Sequence, residues 1–399
     1  MINILKNTKS ICPNCLIEID AKIIEKNNKV YMIKECPRHG KFIVLVEKDV
    51  EFYKKSMNQH SVKRKKPFQN LMIPFTHKCN LNCNYCWLPQ RDREDLLIED
   101  MQKIVSKSDC DQVRISGGEP TLREDLLYII RFIRKNKKRS SLLTNGLKLA
   151  NLSYVKRLKD AGLDNICFSF NGFKDSIYEK INGKKLLKVK LKALANIKKV
   201  GIDTTLSVML VKGVNERELK KIFDYCLKNI SFIKELRIRS MAPMGRYAKS
   251  SGFFVSELID MFSKILNIDR KEFIKSINEK DHVPCFFTGW LCSYKDENHI
   301  HPWVLIGKGL WDGKPIIDKI PVAFKLVNKF KIKILSRFII NRIRKKNILF
   351  LKLELRSWPN NYNIDLGEME KCHTSQLSKN GVFPFCYSLI LNNENIIEL

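Results

Sequence analysis

The order of strands and helices between Leu71 and Asn267 constrains the fold of this 399-residue chain more than any other feature. Short apolar runs such as LMIPFT, from Leu71, alternate about six times with amphipathic stretches such as LSYVKRLKDAG, from Leu152. Repeated strand–helix units predict parallel strands joined by right-handed crossovers. Two helical stretches end at Gly162 and Gly201, as glycine C-caps should. The expected fold class is α/β, a partial TIM-like barrel of six β/α units.

Cysteine placement and composition divide the chain into four parts. Residues 1–60 combine β-like runs with Cys-Pro corners and predict a small metal-knuckle domain. Residues 61–70 form a basic linker, and residues 71–275 form the barrel. Cysteines return in residues 276–399, where the strand–helix alternation fails, so an irregular C-terminal domain built around a metal is expected.

The charge is strongly positive, with 73 Lys and Arg against 42 Asp and Glu, a net +31. Such a surface attracts phosphates on nucleic acid, anionic lipid or metabolites, although a lysine-rich genome would give the same excess. The N-terminal residues lack a signal-peptide core, and no apolar run is long enough to span a membrane. We therefore expect a cytoplasmic protein whose 13 cysteines are metal ligands or buried thiols rather than disulfides.

The strongest chemical signal is THKCNLNCNYCW, which contains Cys79, Cys83 and Cys86 directly after the first barrel strand. Loops at the carboxyl ends of barrel strands form active sites. Three thiolates can bind three irons of a four-iron cluster and leave the fourth iron open to another ligand. A zinc knuckle is the alternative, but His77 precedes Cys79 by too little to complete a tetrahedron comfortably.

A glycine-rich motif, Ser116-Gly-Gly-Glu-Pro, closes the second strand. Together with the cysteine triad and its aromatic Tyr85, it resembles the radical S-adenosylmethionine (SAM) superfamily. Softer matches follow at Thr144-Asn-Gly and in CFSFNG, and the resemblance extends from about Phe75 to Arg246. It implies a cluster on the triad and SAM-binding positions at Gly117, Gly118, Glu119, Asn145 and Ser169.

The resemblance also implies a reaction. SAM would bind the open iron, and the reduced cluster would cleave it to a 5′-deoxyadenosyl radical that abstracts hydrogen from a small-molecule or lipid substrate. An electron donor such as ferredoxin or flavodoxin is implied. No catalytic side chain is assigned.

Two other functions are consistent with parts of the sequence. A radical SAM peptide maturase is the first, since auxiliary clusters also mark that class. A basic metal-knuckle protein that binds nucleic acid is the second; the charge favours it, but no aromatic–basic RNA motif is present.

Two further cysteine sets flank the barrel. Cys12, Cys15, Cys36 and His39 have the spacing of a zinc or rubredoxin-like iron site, unless they belong to two unrelated Cys-Pro turns. A second set could hold an auxiliary four-iron cluster, expected beside the barrel mouth on the far side of the substrate from the triad; buried thiols or a second zinc are the alternatives. Its members are Cys285, Cys292, Cys372 and Cys386, whereas Cys110, Cys167 and Cys226 are expected in the core.

The flanking motifs together, CP…CP-x-HG at the start and PFC near the end, resemble archaeal tetraether-lipid synthases and pterin-methylase-like radical SAM proteins. No acidic residue occurs between Lys319 and Leu353. An apolar helical stripe in this stretch could lie on an anionic membrane surface, but a helix packed on the barrel, or strands, is the preferred interpretation. The stripe comprises Val327, Phe330, Ile334, Phe338 and Ile343.

Overall fold

The computed structural model describes residues 2–57, 69–86, 88, 94–241, 252–277, 285–295, 304–307, 347–369, 372, 374–378 and 381–387. The amino-terminal part is a four-stranded antiparallel sheet followed by one helix. Its strands occur in chain order: β1 Asn3–Ile11, β2 Glu18–Lys26, β3 Lys29–Cys36 and β4 Gly40–Glu47, then α1 Val50–Met57. Alternating burial along β2 and β3 gives this sheet one inner face, which packs on α1 through Val50 and Tyr53.

Six parallel strands form the centre of a second, eleven-stranded sheet. They are β5 Asn70–Thr76, β6 Gln112–Gly117, β7 Arg139–Thr144, β8 Asn165–Ser169, β9 Asp203–Leu210 and β10 Ile233–Ser240. Each predicted strand overlaps one of them, so the predicted α/β partial barrel is confirmed.

Helices cover the outer face of this sheet. Their bounds are α2 Ile98–Lys107, α3 Leu126–Lys135, α4 Leu152–Asp160, α5 Asp175–Asn182, α6 Leu187–Val200, α7 Leu219–Lys228, α8 Val255–Leu266 and α9 Arg270–Lys275. The apolar face of α3, with Ile129, Ile130 and Ile133, is fully buried. The predicted ends are also found: Gly162 has φ +90° and Gly201 has φ +71°.

Strands from the C-terminal region extend both edges of the same sheet. They are β11 Phe286–Lys295, β12 Val304–Gly307, β13 Asn347–Arg356, β14 Thr374–Ser378 and β15 Gly381–Pro384. β13 runs parallel to β10, and β14 runs parallel to β5. The region was expected to be irregular; its described residues lack long helices but contribute these five strands, because pairing with the barrel edges satisfies their backbone groups.

None of the helices in the described ranges is long and apolar enough to cross a bilayer. The apolar stripe that begins at Val327 lies outside those ranges.

The first strand of the chain also contacts the segment that precedes Cys372. Thr8 Oγ1 donates to Asp365 at 2.6 Å, and Ser10 Oγ donates to the carbonyl of Ile364 at 2.7 Å. Lys34, which is 2% exposed, donates to the carbonyl of Asn361 at 3.0 Å. The amino-terminal sheet therefore orders the chain around residues 361–365.

A second contact joins the amino-terminal sheet to α8. Ser256 Oγ donates to the carboxylate of Glu47 at 2.5 Å, and Glu47 is 3% exposed. Burial raises the pKa of Glu47 to about 7, against the hydrogen bonds from Ser256 and Lys48 N that lower it. Folding therefore favours the protonated carboxyl.

We predict that this group makes the protein less stable as pH rises. The pKa of Glu47 is higher in the folded state than in the unfolded state. Its contribution to the free energy of unfolding is therefore fully present below about pH 4.5 and is lost as pH rises through about 7. The loss should reach about 3 kcal/mol. Urea unfolding of wild type and Glu47→Gln at pH 5 and pH 8 measures it, with exposed Glu51→Gln as the control. Equal pH dependence in wild type and Glu47→Gln would contradict the assignment.

Candidate active site

The loop after β5 carries Cys79, Cys83 and Cys86, each half-buried. The end of α5 fixes this loop: Asn84 donates through its backbone to Ile181 O at 2.9 Å and through its side chain to Lys180 O at 2.8 Å. Leu81 is buried with Tyr178 and Leu186, and Cys79 and Cys83 pack against this group.

The glycine-rich motif after β6 holds the other side of the cysteine loop. Gly118 N donates to Thr76 O at 2.7 Å, and Glu119 N donates to Lys78 O at 2.8 Å. A Cβ at Gly117, where φ is +133°, would overlap the carbonyl oxygen of Thr76. A Cβ at Gly118 would overlap that of Lys78. Both positions need glycine because the backbones of the two loops are in direct contact. The SAM-binding role that the resemblance implies for these two glycines stays a prediction.

Glu119 is fully buried and joins three loops. Its carboxylate accepts hydrogen bonds from Thr121 Oγ1 at 2.6 Å, from Thr144 Oγ1 at 2.7 Å and from Asn145 N at 2.7 Å. The side chain thus fixes the ends of β6 and β7 relative to each other. Its contact with the amino group of SAM stays a prediction.

Asn145 and Ser169 meet at a buried lysine that sequence reasoning missed. Asn145 Nδ2 donates to Asn80 Oδ1 in the cysteine loop at 2.8 Å. Lys190, which is 1% exposed, donates to Asn145 O at 2.9 Å and to Ser169 O at 2.7 Å. Burial lowers the pKa of Lys190 to about 8, against the opposing effect of Cys83 and Glu119.

A signal for Lys190 was present in the sequence. It follows the spacing of the buried face of α6, which continues at Ala193, Leu194 and Ile197. Among so many surface lysines, a single lysine on an apolar face was not distinguished.

The donors in the cysteine loop fit an iron–sulfur cluster better than a single ion. Within the part of the chain that the structure describes, the triad does not form a set of ligand atoms close enough for one ion. A cluster spreads its thiolates over several irons and therefore needs wider spacing. The amide of Asn182 donates to Cys83 Sγ at 3.1 Å, a contact that suits a thiolate.

The amino-terminal set does have the geometry of a single ion. The ligand atoms of Cys12, Cys15, Cys36 and His39 all lie within 4.8 Å of one another. Burial opposes ionisation of Cys12, but backbone N–H groups of Cys15 and Asn14 lower its pKa to about 6. Three thiolates and one imidazole at this spacing fit tetrahedral zinc.

Three of the four C-terminal cysteines line one cavity of about 600 Å³ inside the half-barrel: Cys285, Cys372 and Cys386. The side chain of Cys292 lies outside the described residues. Burial and the neighbouring Cys372 raise the pKa of Cys285 to about 12, so a metal would have to displace a proton there.

The expected location of this set beside the barrel mouth is wrong. Cys372 precedes Thr374, whose register partner is Asn70 at the start of β5, whereas Cys79 follows the end of β5. The parallel pairing of β14 with β5 therefore puts Cys372 at the opposite end of this strand from the triad.

A smaller cavity of about 120 Å³ extends towards the cysteine loop. It is lined by Met72, Tyr85, Arg114, Leu143, Cys167, Met209, Arg237, Arg239, Ser240, Arg356, Trp358, Thr374 and Phe385. This lining contains four arginines and no carboxylate. Cys167, expected in the core, faces this space, while Cys110 and Cys226 are buried among apolar side chains as expected.

Two of the four arginines are paired and two are not. Arg237 Nε lies 2.8 Å from Glu354, and its Nη2 lies 2.6 Å from Glu235. Arg356 also pairs with Glu354. Burial acts to raise the pKa of Glu354, but Arg237 and Arg356 bring it well below its ordinary value.

Arg114 and Arg239 make no ion pair with any carboxylate among the described residues. The Nε of Arg239 is buried and has no hydrogen-bond partner there. Burial, with the like charges of Arg237 and Arg356, lowers the pKa of Arg114 to about 10. Arg114 and Arg239 thus line the cavity without a directly paired carboxylate among the described residues, which leaves room for an anion.

Comparisons with known proteins agree with this geometry. The family model of the radical SAM superfamily matches residues 73–226, and that of the HMPTM N-terminal zinc ribbon domain matches residues 4–48. A 7,8-dihydro-6-hydroxymethylpterin dimethyltransferase of Methanocaldococcus jannaschii is 33% identical over 275 residues, 60% of this chain and 54% of that protein. The chain therefore spans about half the length of that relative. This match supports the expected pterin-methylase-like branch, while the resemblance to lipid synthases stays a prediction.

A probable GTP 3′,8-cyclase of Pyrococcus abyssi is 31% identical over 207 residues, 50% of this chain and 67% of that protein. The crystal structure of Streptococcus suis SuiB bound to S-adenosylmethionine aligns with a TM-score of 0.44 at 19% identity, over 53% of this chain and 50% of that one. The radical SAM family model matches the barrel strands, and the similarity to the cyclase covers 67% of that protein. The chain therefore belongs to the radical SAM superfamily of enzymes.

Proposed function

We propose that this protein is a radical SAM enzyme that acts on a small, polar, anionic molecule bound inside the half-barrel. The single observation that supports this substrate class best is the buried, unpartnered Nε of Arg239 in the cavity below the cysteine loop. A phosphate or carboxylate there would supply the missing acceptor and counter-charge.

A second, larger cavity shares Arg114, Arg237 and Arg356 with the smaller one and lies at the amino ends of the barrel strands, where it would hold the rest of a small substrate. Its volume of about 600 Å³ falls in the range of small-molecule sites. Hydroxyl and amide side chains of Ser141, Asn165 and Thr205 face it and could hydrogen-bond a polar ring. The activities for which two relatives are named, on a hydroxymethylpterin and on GTP, favour a fused nitrogen heterocycle.

When bound, a reduced four-iron cluster on Cys79, Cys83 and Cys86 would supply the electron that splits SAM and yields the hydrogen-abstracting radical. The residues around that site have separate tasks. Glu119 and Lys190 fix the loops that carry Asn145 and Ser169, so the SAM-binding surface is formed in advance. Tyr85, Met209 and Leu143 line the smaller cavity and would limit the access of water to its reacting end.

The flanking cysteine sets have separate proposed roles. The amino-terminal set would bind structural zinc, which suits its geometry and the matching zinc-ribbon family. The C-terminal set would bind an auxiliary cluster that exchanges an electron with the substrate from the other end of the cavity. An electron donor such as ferredoxin or flavodoxin, and the four-part division of the chain, remain proposals.

Removing the triad tests the site. Cys79, Cys83 and Cys86 replaced together by Ala should abolish formation of 5′-deoxyadenosine after anaerobic reconstitution with iron and sulfide. Zinc should stay at about one per chain, and about one four-iron cluster should remain if the C-terminal set binds one. Metal analysis and chromatography measure these outcomes. Wild type that binds no iron–sulfur cluster after such loading would refute the proposal.

The anion site has its own test. Arg239→Met should weaken binding of inorganic pyrophosphate to the reconstituted protein about ten-fold or more, because a buried charged hydrogen bond is lost. Calorimetric titration at fixed ionic strength measures the dissociation constant. Exposed Arg217→Met, which changes net charge equally, is the control. Equal losses in both variants would mean that overall charge, not the cavity, attracts the anion.

The peptide-maturase alternative can be separated by the same preparation. A small heterocyclic compound with a phosphate or carboxylate should accelerate 5′-deoxyadenosine formation. GTP is the first such compound, and 7,8-dihydro-6-hydroxymethylpterin, which has no anionic group, is the comparison. Acceleration by a precursor peptide alone would favour the maturase.

A further inference from the structure

The last residue of α5, Asn182, makes an unusual contact with the cysteine loop. Its Nδ2 donates to Cys83 Sγ at 3.1 Å, and the residue is only 7% exposed. The next residue, Gly183, ends the helix with φ +73° and a backbone hydrogen bond to Glu179 O. Asn182 is therefore not needed to end the helix.

The contact carries a cost in folding free energy. Asn182 Oδ1 is buried and has no hydrogen-bond partner among the described residues. An orphaned buried acceptor costs about 1–3 kcal/mol. A leucine, which branches at Cγ as asparagine does, would avoid that cost beside Ile181 and Tyr178, which are fully buried. What the amide provides in return is one N–H group directed at sulfur.

The direction of the amide matters because a cluster-bound thiolate is negative. With Nδ2 towards Cys83, the positive end of the amide dipole faces the sulfur. The reversed amide would direct its oxygen at the thiolate and repel it.

We propose that Asn182 is a positioning residue that raises the reduction potential of the cluster held by Cys79, Cys83 and Cys86 through its N–H···S hydrogen bond. Reduction adds one electron to the cluster, and a hydrogen bond to a ligand sulfur stabilises that added charge. The inference rests on the proposed function, because it requires a cluster on the triad. It assigns no step to Asn182 in hydrogen transfer.

The decisive measurement is the reduction potential of this cluster in Asn182→Leu. Holoprotein reconstituted anaerobically is titrated with dithionite and followed by electron paramagnetic resonance, using the signal that changes when SAM is added. The midpoint should shift to a more negative potential. Urea unfolding of the same variant should show equal or greater stability, because the orphaned oxygen is removed.

A matched control distinguishes tuning from general loss of a buried amide. Asn196, half-buried on α6, donates to Leu149 O at 3.0 Å, far along the chain from the cysteines. Asn196→Leu should lower stability and leave the midpoint potential unchanged. An unchanged potential in Asn182→Leu, or an equal shift in both variants, would overturn the proposal.

A third variant covers the case in which Asn182→Leu fails to bind the cluster. Asn182→Gln keeps an amide donor on a side chain long enough to contact the same sulfur, so it should load iron and keep a potential closer to that of wild type. If Asn182→Gln fails in the same way as Asn182→Leu, packing rather than the hydrogen bond is responsible, and the proposal is wrong. If wild type itself binds no cluster, the proposed function fails, and that outcome is distinct.

Discussion

The arrangement of the site depends on the backbone contact between the cysteine loop and the glycine-rich loop. The backbone N–H groups of Gly118 and Glu119 donate to carbonyls of the segment that leads to Cys79. The two backbones are so close that neither Gly117 nor Gly118 could carry a side chain. Once the two loops are joined, the buried carboxylate of Glu119 can collect donors from the loop after β7. Lys190 extends the same connection to the end of β8. Four consecutive strand ends are thereby fixed by a few polar groups.

The charged interior of the half-barrel is the second organising feature. Strand positions that would hold aliphatic layers in a closed barrel hold Arg114, Arg237, Arg239 and Arg356 here. Glu235 and Glu354 compensate only part of this charge. An interior of this kind is unfavourable for stability by itself, because desolvated guanidinium groups need partners. The proposed binding of an anion would offset this cost.

Much of the fold followed from local sequence patterns. The periodicity of the strands and helices and the glycine caps predicted the half-barrel, because each signal acts within a few residues. The spacing of Cys12, Cys15, Cys36 and His39 brought their ligand atoms together for the same reason. The position of Cys372 was not predictable, since it depends on the parallel pairing of β14 with β5 across about three hundred residues of sequence. Lys190 and Asn182 were missed because their roles depend on the groups that they contact in the folded protein, which the sequence does not show.

The contacts between β1 and the chain around Ile364 have a consequence for the order of assembly. Ser10 and Ile364 are 354 residues apart, so their hydrogen bond cannot form on the ribosome until almost all of that length has been synthesised. The cysteine loop and the glycine-rich loop, by contrast, are neighbours in sequence and can meet early. A metal cluster on the triad can therefore be inserted into a nascent chain. The C-terminal cysteines can be brought together only later, after the first strand has bound the segment around Ile364. Under the proposed assignment of iron to both sets, a shortage of iron during synthesis would affect them unequally.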